Sequence, residues 1–478
     1  MNSKLKINIL YQILFQVFKI IIPFITTPII SRNLGVSNTG IYSYCHSIVQ
    51  VFMFFSMLGI STYGTRVIAK DYLDKKKMEQ DFWDIYLIEF ISSIISIIAY
   101  IIFMLIFNKQ YFIYAMIFVV ELIGSLLDIN WFYFGLEEFK MTAIRSMILR
   151  IVSCILIIIF VRKPADLVNY CLITSLETFF CNIILWGKLK KFVGKPKFVY
   201  TNLKEHIKPI LMLFIPVISA TIFKYIDKIM LGFFGLIDAV GLYEYIDKIN
   251  NIPIAFILAF GTTLMPFICK IIKSGNIKKS KKYLDISMKV IMFLSIGFAF
   301  GLLFIANDFI PIFLGENYKI IVPFFNISVF SIATFAWRDT IKSQYLIPNG
   351  LEKINVFSMM IGAFVNIIFN FFLIPYLGLT GALVATVFSE LATCSIQSYF
   401  IKNQISIVKY LVYTLCFSIS GIIMYNSKIL IPSFNNIIII IIYKIIFGGI
   451  VYTVSSLILL KLCIIIKYKF NNHKNIYN

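Results

Sequence analysis

LGVSNTGIYSY, residues 34–44, returns two hundred residues later as FGLIDAVGLYEY, residues 234–245. Gly40, Tyr42, Tyr44 and Ile48 match Gly241, Tyr243, Tyr245 and Ile249 at a constant offset of 201 residues. Further echoes keep the same order along the chain. IPFITT at 22–27 resembles IPVISAT at 215–221, GLE at 135–137 returns at 350–352, and the segment around Glu177 resembles that around Glu390. Each echo alone is weak. Four in one order mark a duplication, and the architecture follows from what lies between the copies.

That intervening sequence is built for lipid. Of 478 residues, 60% are hydrophobic and only 14% are charged, whereas a soluble domain carries roughly 25% charged residues. Apolar stretches of about 20 residues, enough for a helix to cross the hydrocarbon core, follow one another end to end. Their Ile-rich texture lacks the strict alternation of a transmembrane barrel. The sequence predicts about fourteen helices: 7–30, 41–68, 82–107, 111–134, 142–161, 166–187, 207–233, 241–268, 286–313, 320–347, 354–375, 379–401, 410–427 and 436–466. The first is read as a retained span and not a cleaved leader, since no small-residue cleavage site follows it.

The net charge of +21 is topogenic and gives no sign of nucleic acid as a partner. One alternate set of loops is strongly basic, with Lys75, Lys76 and Lys77, then Lys188, Lys190, Lys191 and Lys195, then Lys278, Lys279, Lys281 and Lys282. The opposite set holds only Arg32, Lys109, Arg162, Lys163, Lys319 and Lys428. The positive-inside bias places both termini in the cytoplasm, which requires an even number of spans. Eight scattered cysteines and three histidines form no metal-binding pattern. The short outer loops leave no room for the catalytic domain that a membrane polymerase or ligase would need.

Six helices per copy is an even number, so the two copies insert with the same orientation as parallel repeats, and in transporters the substrate site lies between such halves. The expected organisation is a first lobe at 1–190, a cytoplasmic linker at 191–206, a second lobe at 207–403, and two additional helices with a cytoplasmic tail at 404–478.

The segments SRNLGVSNTGIYSY and LGISTYGTRVIAK in the first seventy residues resemble the polysaccharide (O-antigen-type, Wzx-like) flippases of the multidrug/oligosaccharidyl-lipid/polysaccharide exporter superfamily. So do YIDKIMLGFFGLIDAVGLYEY and NIIFNFFLIPYLGLTGALVATVFSE in the second half. The resemblance implies an all-α integral membrane protein with two six-helix lobes in a V shape and two extra helices. It implies a transporter, not an enzyme, that exports an undecaprenyl-pyrophosphate-linked sugar repeat unit to the outer leaflet of the bacterial cytoplasmic membrane by alternating access. A polysaccharide polymerase and glycosyltransferases are the expected protein partners. The alternatives within the superfamily are a multidrug/cation antiporter and a flippase for the peptidoglycan precursor.

Ionisable groups inside spans are costly and mark functional candidates. Lys19 has no partner in its own helix. Lys224, Asp227 and Lys228 share one face of the seventh predicted helix, and Glu244, Asp247 and Lys248 form a second cluster in the eighth. With Arg150, Arg338 and Lys342, the cations among these are the candidates for holding a pyrophosphate, whose oxygens take several charge-assisted hydrogen bonds. Mutual neutralisation of the two clusters is the competing reading. Glu121, Asp128, Glu177 and Glu390 are the candidates for coupling to a proton or sodium gradient. No other cofactor and no metal is expected. Pro23 and Pro28, and Pro209 and Pro216, fall in equivalent helices of the two copies and loosen both.

Overall fold

Two glycines set how the chain enters its first and second repeats. Gly35 interrupts α1 (Ser3–Met57) with φ 77° and ψ −179°. Gly235 takes the same φ of 77° between α8 (Tyr200–Phe233) and α9 (Ile237–Lys273). Both values lie in the region that glycine enters without a Cβ penalty. The quoted echo therefore begins at equivalent breaks, and its Gly-x-Tyr-x-Tyr lies in the first turns of the helix that follows each one.

The computed structural model describes residues 3–195, 200–432 and 435–474. Between α1 and α8 run α2 (Ile60–Asp71), α3 (Lys75–Phe107), α4 (Phe112–Leu126), α5 (Asn130–Gly135), α6 (Phe139–Phe160) and α7 (Leu167–Leu189). After α9 come α10 (Ile277–Leu314), α11 (Val322–Ser328), α12 (Phe330–Ile341), a π-helical turn (Lys342–Leu346), α13 (Glu352–Leu377), α14 (Leu379–Ile401), α15 (Ile407–Asn426) and α16 (Ile437–Lys474). The chain separates into two compact units, Met1–Glu244 and Tyr245–Asn478. The division falls within α9, so α8 and the second copy of the motif as far as Glu244 belong with the first unit.

Among the described residues, eleven helices are long and apolar enough to cross a bilayer. The number rises to thirteen if two bent pairs each count as one span, Leu203–Ile218 with Thr221–Phe233 (51°) and Glu316–Ser328 with Phe330–Leu346 (45°). The protein is a multi-pass integral membrane protein. Its outward faces are apolar, with Ile95, Ile106, Phe364 and Leu415 all more than 60% exposed, as lipid contact allows.

Four predicted helices take a different local form. Helix 7–30 and the first part of 41–68 run together as α1, with Gly35 the one non-helical residue between them, and 41–68 is broken at Leu58–Gly59, where α2 follows. The predicted helix 111–134 stops at Leu126, because the Asp128 carboxylate accepts from the Asn130 backbone N–H at 2.8 Å and from its Nδ2 at 2.7 Å. Such an Asx turn offers the backbone an alternative to helix. The predicted helix 320–347 is broken near Val329, and its last turn is widened, Ile347 N donating to Lys342 O across five residues at 3.0 Å.

Packing within the first unit relies on small and polar contacts, as helices in lipid do. Ser56 meets Ser93 at 2.5 Å and Ser125 at 3.0 Å. Asn182 Nδ2 donates to Gly124 O at 2.8 Å across α7 and α4. Where α2, α3, α5 and α7 converge, Phe82, Trp131, Phe132 and Tyr133 form a fully buried aromatic core. In the second unit the core joins α10, α12, α14, α15 and α16 through Met288, Met292, Ile341, Ile401, Phe417 and Tyr452.

Candidate functional site

Several of the cations predicted from the sequence are held by carboxylates. In the first unit, Lys228 of α8 meets Glu244 of α9 at 2.5 Å, and Tyr243 Oη donates to Asp227 Oδ2 at 2.6 Å. Asp227 and Lys228 are 2% and 5% exposed, so the charged face predicted on this helix turns inward onto the second copy of the motif. Lys224, one turn earlier, is exposed, and its ammonium lies 5.0 Å from the centre of the Tyr225 ring. Lys19 sits in α1, and its side chain lies outside the described residues.

The first unit holds two further clusters. Arg150 of α6 meets Glu177 of α7 at 3.3 Å. Glu121 of α4 is buried, accepts from Gln50 Nε2 at 2.8 Å, and lies 3.5 Å from His46 Nε2, both partners being on α1. Tyr42 stacks on His46 at 5.3 Å and touches Tyr170 at 4.3 Å, which walls the Glu121 carboxylate with aromatic rings. The remaining acid, Asp128, is occupied by Asn130, whose Oδ1 accepts from Arg145 Nη2 at 3.0 Å.

In the second unit, Arg338 of α12 makes a two-pronged contact with Glu390 of α14, Nε to Oε2 at 2.9 Å and Nη2 to Oε1 at 3.2 Å. Both side chains are under 10% exposed. Lys342, at the start of the π turn, pairs with Asp339. Gly261 of α9 makes room for this pair, since a Cβ there would come within 2.9 Å of Asp339 Oδ2. Asp247 and Lys248 are half-buried. Asp247 accepts from Asn251 at 3.0 Å, and Lys248 lies 5.8 Å from the Tyr245 ring.

Glu177 and Glu390, which correspond in the repeat, each hold an arginine, but the arginines come from non-equivalent helices. Glu177 takes its partner from the helix just before it, Glu390 from one two spans back. Sequence reasoning passed over several groups the structure brings into these clusters. Glu89 accepts from Trp131 Nε1 at 2.9 Å while fully buried. Asp84 is buried with neither oxygen hydrogen-bonded among the described residues. Asp81 faces His206 at 3.6 Å, and Asp339 completes the Lys342 pair. Glu89, His46 and Asp339 stand inside predicted spans, so the rule that singled out Glu121 would have found them. Among the described residues, no group of three or more His, Cys, Asp or Glu side chains is arranged to hold a metal ion.

Chemically, the clusters are ion pairs between basic side chains and carboxylates. An anion can take an arginine or lysine from its carboxylate only if that carboxylate is neutralised, by a proton or by a small cation. Breaking such a buried pair without compensation costs about 3–5 kcal/mol.

The family described as polysaccharide biosynthesis protein matches residues 5–272 of this chain. A putative O-antigen transporter of Shigella dysenteriae is 23% identical over 390 residues, spanning 81% of this chain and 97% of that protein. Lipid II flippase MurJ of Bacillus subtilis is 26% identical over 162 residues, 34% of this chain and 30% of that protein. Among solved structures, lipid II flippase MurJ in an inward closed conformation superposes with a TM-score of 0.76 at 15% identity, covering 95% of this chain and 100% of that one. An inward-facing multidrug-resistance MATE transporter of the MOP superfamily superposes with a TM-score of 0.63 at 15% identity, covering 82% and 95%. At these identities the structural likeness establishes the fold.

Proposed function

Because the chain belongs to the polysaccharide biosynthesis protein family, we propose that it translocates an undecaprenyl-pyrophosphate-linked oligosaccharide repeat unit from the inner to the outer leaflet of the bacterial cytoplasmic membrane. Transport proceeds by alternating access, with no covalent bond made or broken. The observation that carries this reading is the match to a putative O-antigen transporter over 97% of its length, on a fold shared with a lipid-linked-precursor flippase. The polymerase and glycosyltransferases of the same surface polysaccharide are its partners in the cell.

The finer architecture belongs to the same proposal. The stretch Ile21–Asp71 is 51 residues long, which as one straight helix is about 75 Å, more than twice the roughly 30 Å hydrocarbon core. Counting the segments on either side of Gly35 as separate spans, with each bent pair as one, gives fourteen. Fourteen spans and the basic loops put both termini in the cytoplasm. The repeat supplies two six-helix lobes, 1–190 and 207–403, joined by 191–206 and followed by two added helices in 404–478.

In this reading Lys19, Lys224 and Lys248 are the direct ligands of the substrate pyrophosphate. Arg150, Lys228, Arg338 and Lys342 are released to it in turn. Protonation of Glu177, Glu244, Glu390 or Asp339, or sodium binding there, frees the paired cation. Glu121 and Asp128 serve as further sites for the coupling ion, and Asp227 orients the α8 face through Tyr243.

The test is translocation of a polyprenyl-pyrophosphate-linked oligosaccharide in vesicles containing the purified chain. Lys224→Ala with Lys248→Ala is expected to slow transport at least about tenfold, the scale of one lost charge-assisted contact. Correct insertion with an unchanged rate would remove these lysines from the site. Export of a cationic drug with no movement of the oligosaccharide lipid would replace the flippase reading by antiport.

A further inference from the structure

A cavity of about 620 Å³ opens in the first unit where α6 begins and α7 ends, on their basic side. Its rim carries Lys140, Lys188 and Lys191 against a single acid, Glu138, and its wall is formed by Ile144, Ile148, Leu149, Ile184 and Leu185. The three lysines are exposed, and Ile148 and Ile184 are 55% and 48% exposed, so the opening faces the surrounding lipid. Inside stands Arg145, 9% exposed. Its Nη2 donates to Asn130 Oδ1 at 3.0 Å and to Ser146 Oγ at 3.1 Å. Its Nε and Nη1 are buried and meet no hydrogen-bond acceptor among the described residues. The nearest carboxylate in that network, Asp128, is separated from the guanidinium by Asn130.

A buried guanidinium whose Nε and Nη1 find no acceptor among the described residues is costly, and a guanidinium with donors to spare suits an oxygen anion such as a phosphate. We infer that this cavity is a binding site for an anionic glycerophospholipid. Arg145 holds the phosphate, Lys140, Lys188 and Lys191 supply the surrounding positive field, and an acyl chain lies along Ile148 and Ile184. Basic pockets between membrane helices on the cytoplasmic side take anionic headgroups in this way. The lining beyond the cations is apolar apart from Glu138, which leaves nothing to recognise sugar hydroxyls. That separates this site from the oligosaccharide-bearing substrate. The inference concerns retention of a resident lipid, so its outcome is read by binding and is independent of the transport reading.

The full-length chain in mild detergent is mixed with phosphatidylglycerol, phosphatidylcholine or inorganic phosphate, and the retained adducts are counted by native mass spectrometry. Phosphatidylglycerol is expected to be retained about tenfold more than phosphatidylcholine. Arg145→Gln is expected to abolish that preference. The double substitution Lys188→Gln with Lys191→Gln, on exposed side chains that leave folding intact, is expected to weaken it about tenfold, whereas Lys279→Gln in the second unit leaves it unchanged. Equal retention of the two lipids, full preference in the rim double variant, or displacement of phosphatidylglycerol by equimolar polyprenyl diphosphate would each overturn the assignment. Saturation by inorganic phosphate at equal concentration would also overturn it, since a headgroup without chains would then suffice.

Discussion

Arg338 and Glu390 show how the same pair of residue types differs in consequence with burial. Their side chains are 8% and 6% exposed and make two contacts, while those of Arg150 and Glu177 are 33% and 20% exposed and make one. Removing one member of the deeper pair strands a charge away from water. Arg338→Met or Glu390→Leu alone is therefore expected to cost about 3–5 kcal/mol, and the double change to fall within about 2 kcal/mol of the starting protein. Arg150→Gln is expected to cost less than the Arg338 substitution, since it gives up one longer contact in a less buried pair. Thermal unfolding in detergent measures all four. Equal destabilisation by the Arg338 and Arg150 substitutions would contradict the ranking. The residue scale is also where the sequence was least informative. It singled out Arg150, Arg338, Glu177 and Glu390 as charges inside spans, but the pairings are set by helix adjacency, which spacing along one chain does not encode. Glu177 and Glu390 are alike in sequence and yet draw their arginines from different neighbours.

At the scale of elements, the repeated motif is a packing device with two kinds of glycine. Gly35 and Gly235 supply the φ of 77° that breaks the backbone. Gly40 and Gly241 do something else. A Cβ on Gly40 would lie 2.1 Å from Ile237 O, and one on Gly241 would lie 2.2 Å from Val36 O. Each copy of the motif thus presses a glycine onto the backbone of the other, in a reciprocal contact, and Gly232 is likewise closed off by the Tyr44 ring at 2.1 Å. Tyr44 is 2% exposed and donates to Asn108 at 2.6 Å, and Tyr245 is fully buried. Both tyrosines are packing residues, while the reason for the second glycine was not visible in the sequence. Gly35→Ala is expected to cost about 1–2 kcal/mol of backbone strain. Gly40→Ala and Gly241→Ala force two backbones apart and are expected to cost more, at least about 2–3 kcal/mol on the scale of overpacking. A smaller loss at Gly40 than at Gly35 would show that the helices give way easily. Helix existence was legible from hydropathy almost throughout. Helix interruption was not, because the Asx turn at Asp128 and the π turn at Lys342 depend on local side-chain geometry inside apolar runs.

For the whole molecule, the open quantity is the number of crossings, and it is decided by parity. Thirteen spans would leave the two termini on opposite sides, whereas fourteen leave them together. The break at Gly35 separates these counts, according to whether the 51-residue stretch it interrupts crosses once or twice. The charge bias gives an independent expectation, since Lys76 and Lys281 stand in the basic set of loops and Lys428 in the sparse one. Single cysteines placed at these positions, in a chain whose native cysteines are replaced by serine or alanine, report sidedness through a membrane-impermeant thiol reagent. Lys428→Cys is expected to react in intact cells, and Lys76→Cys and Lys281→Cys only after permeabilisation. Protease-accessible tags at the two ends are expected to be protected together. A carboxyl-terminal tag exposed outside while the amino-terminal one stays protected would make the span count odd, and the segments flanking Gly35 would then be one crossing with an extension beyond the bilayer. With the amino terminus inside, every loop after Asp71 would then change sides, so Lys76→Cys and Lys281→Cys would react in intact cells and Lys428→Cys would not. The same measurement therefore locates the error as well as detecting it.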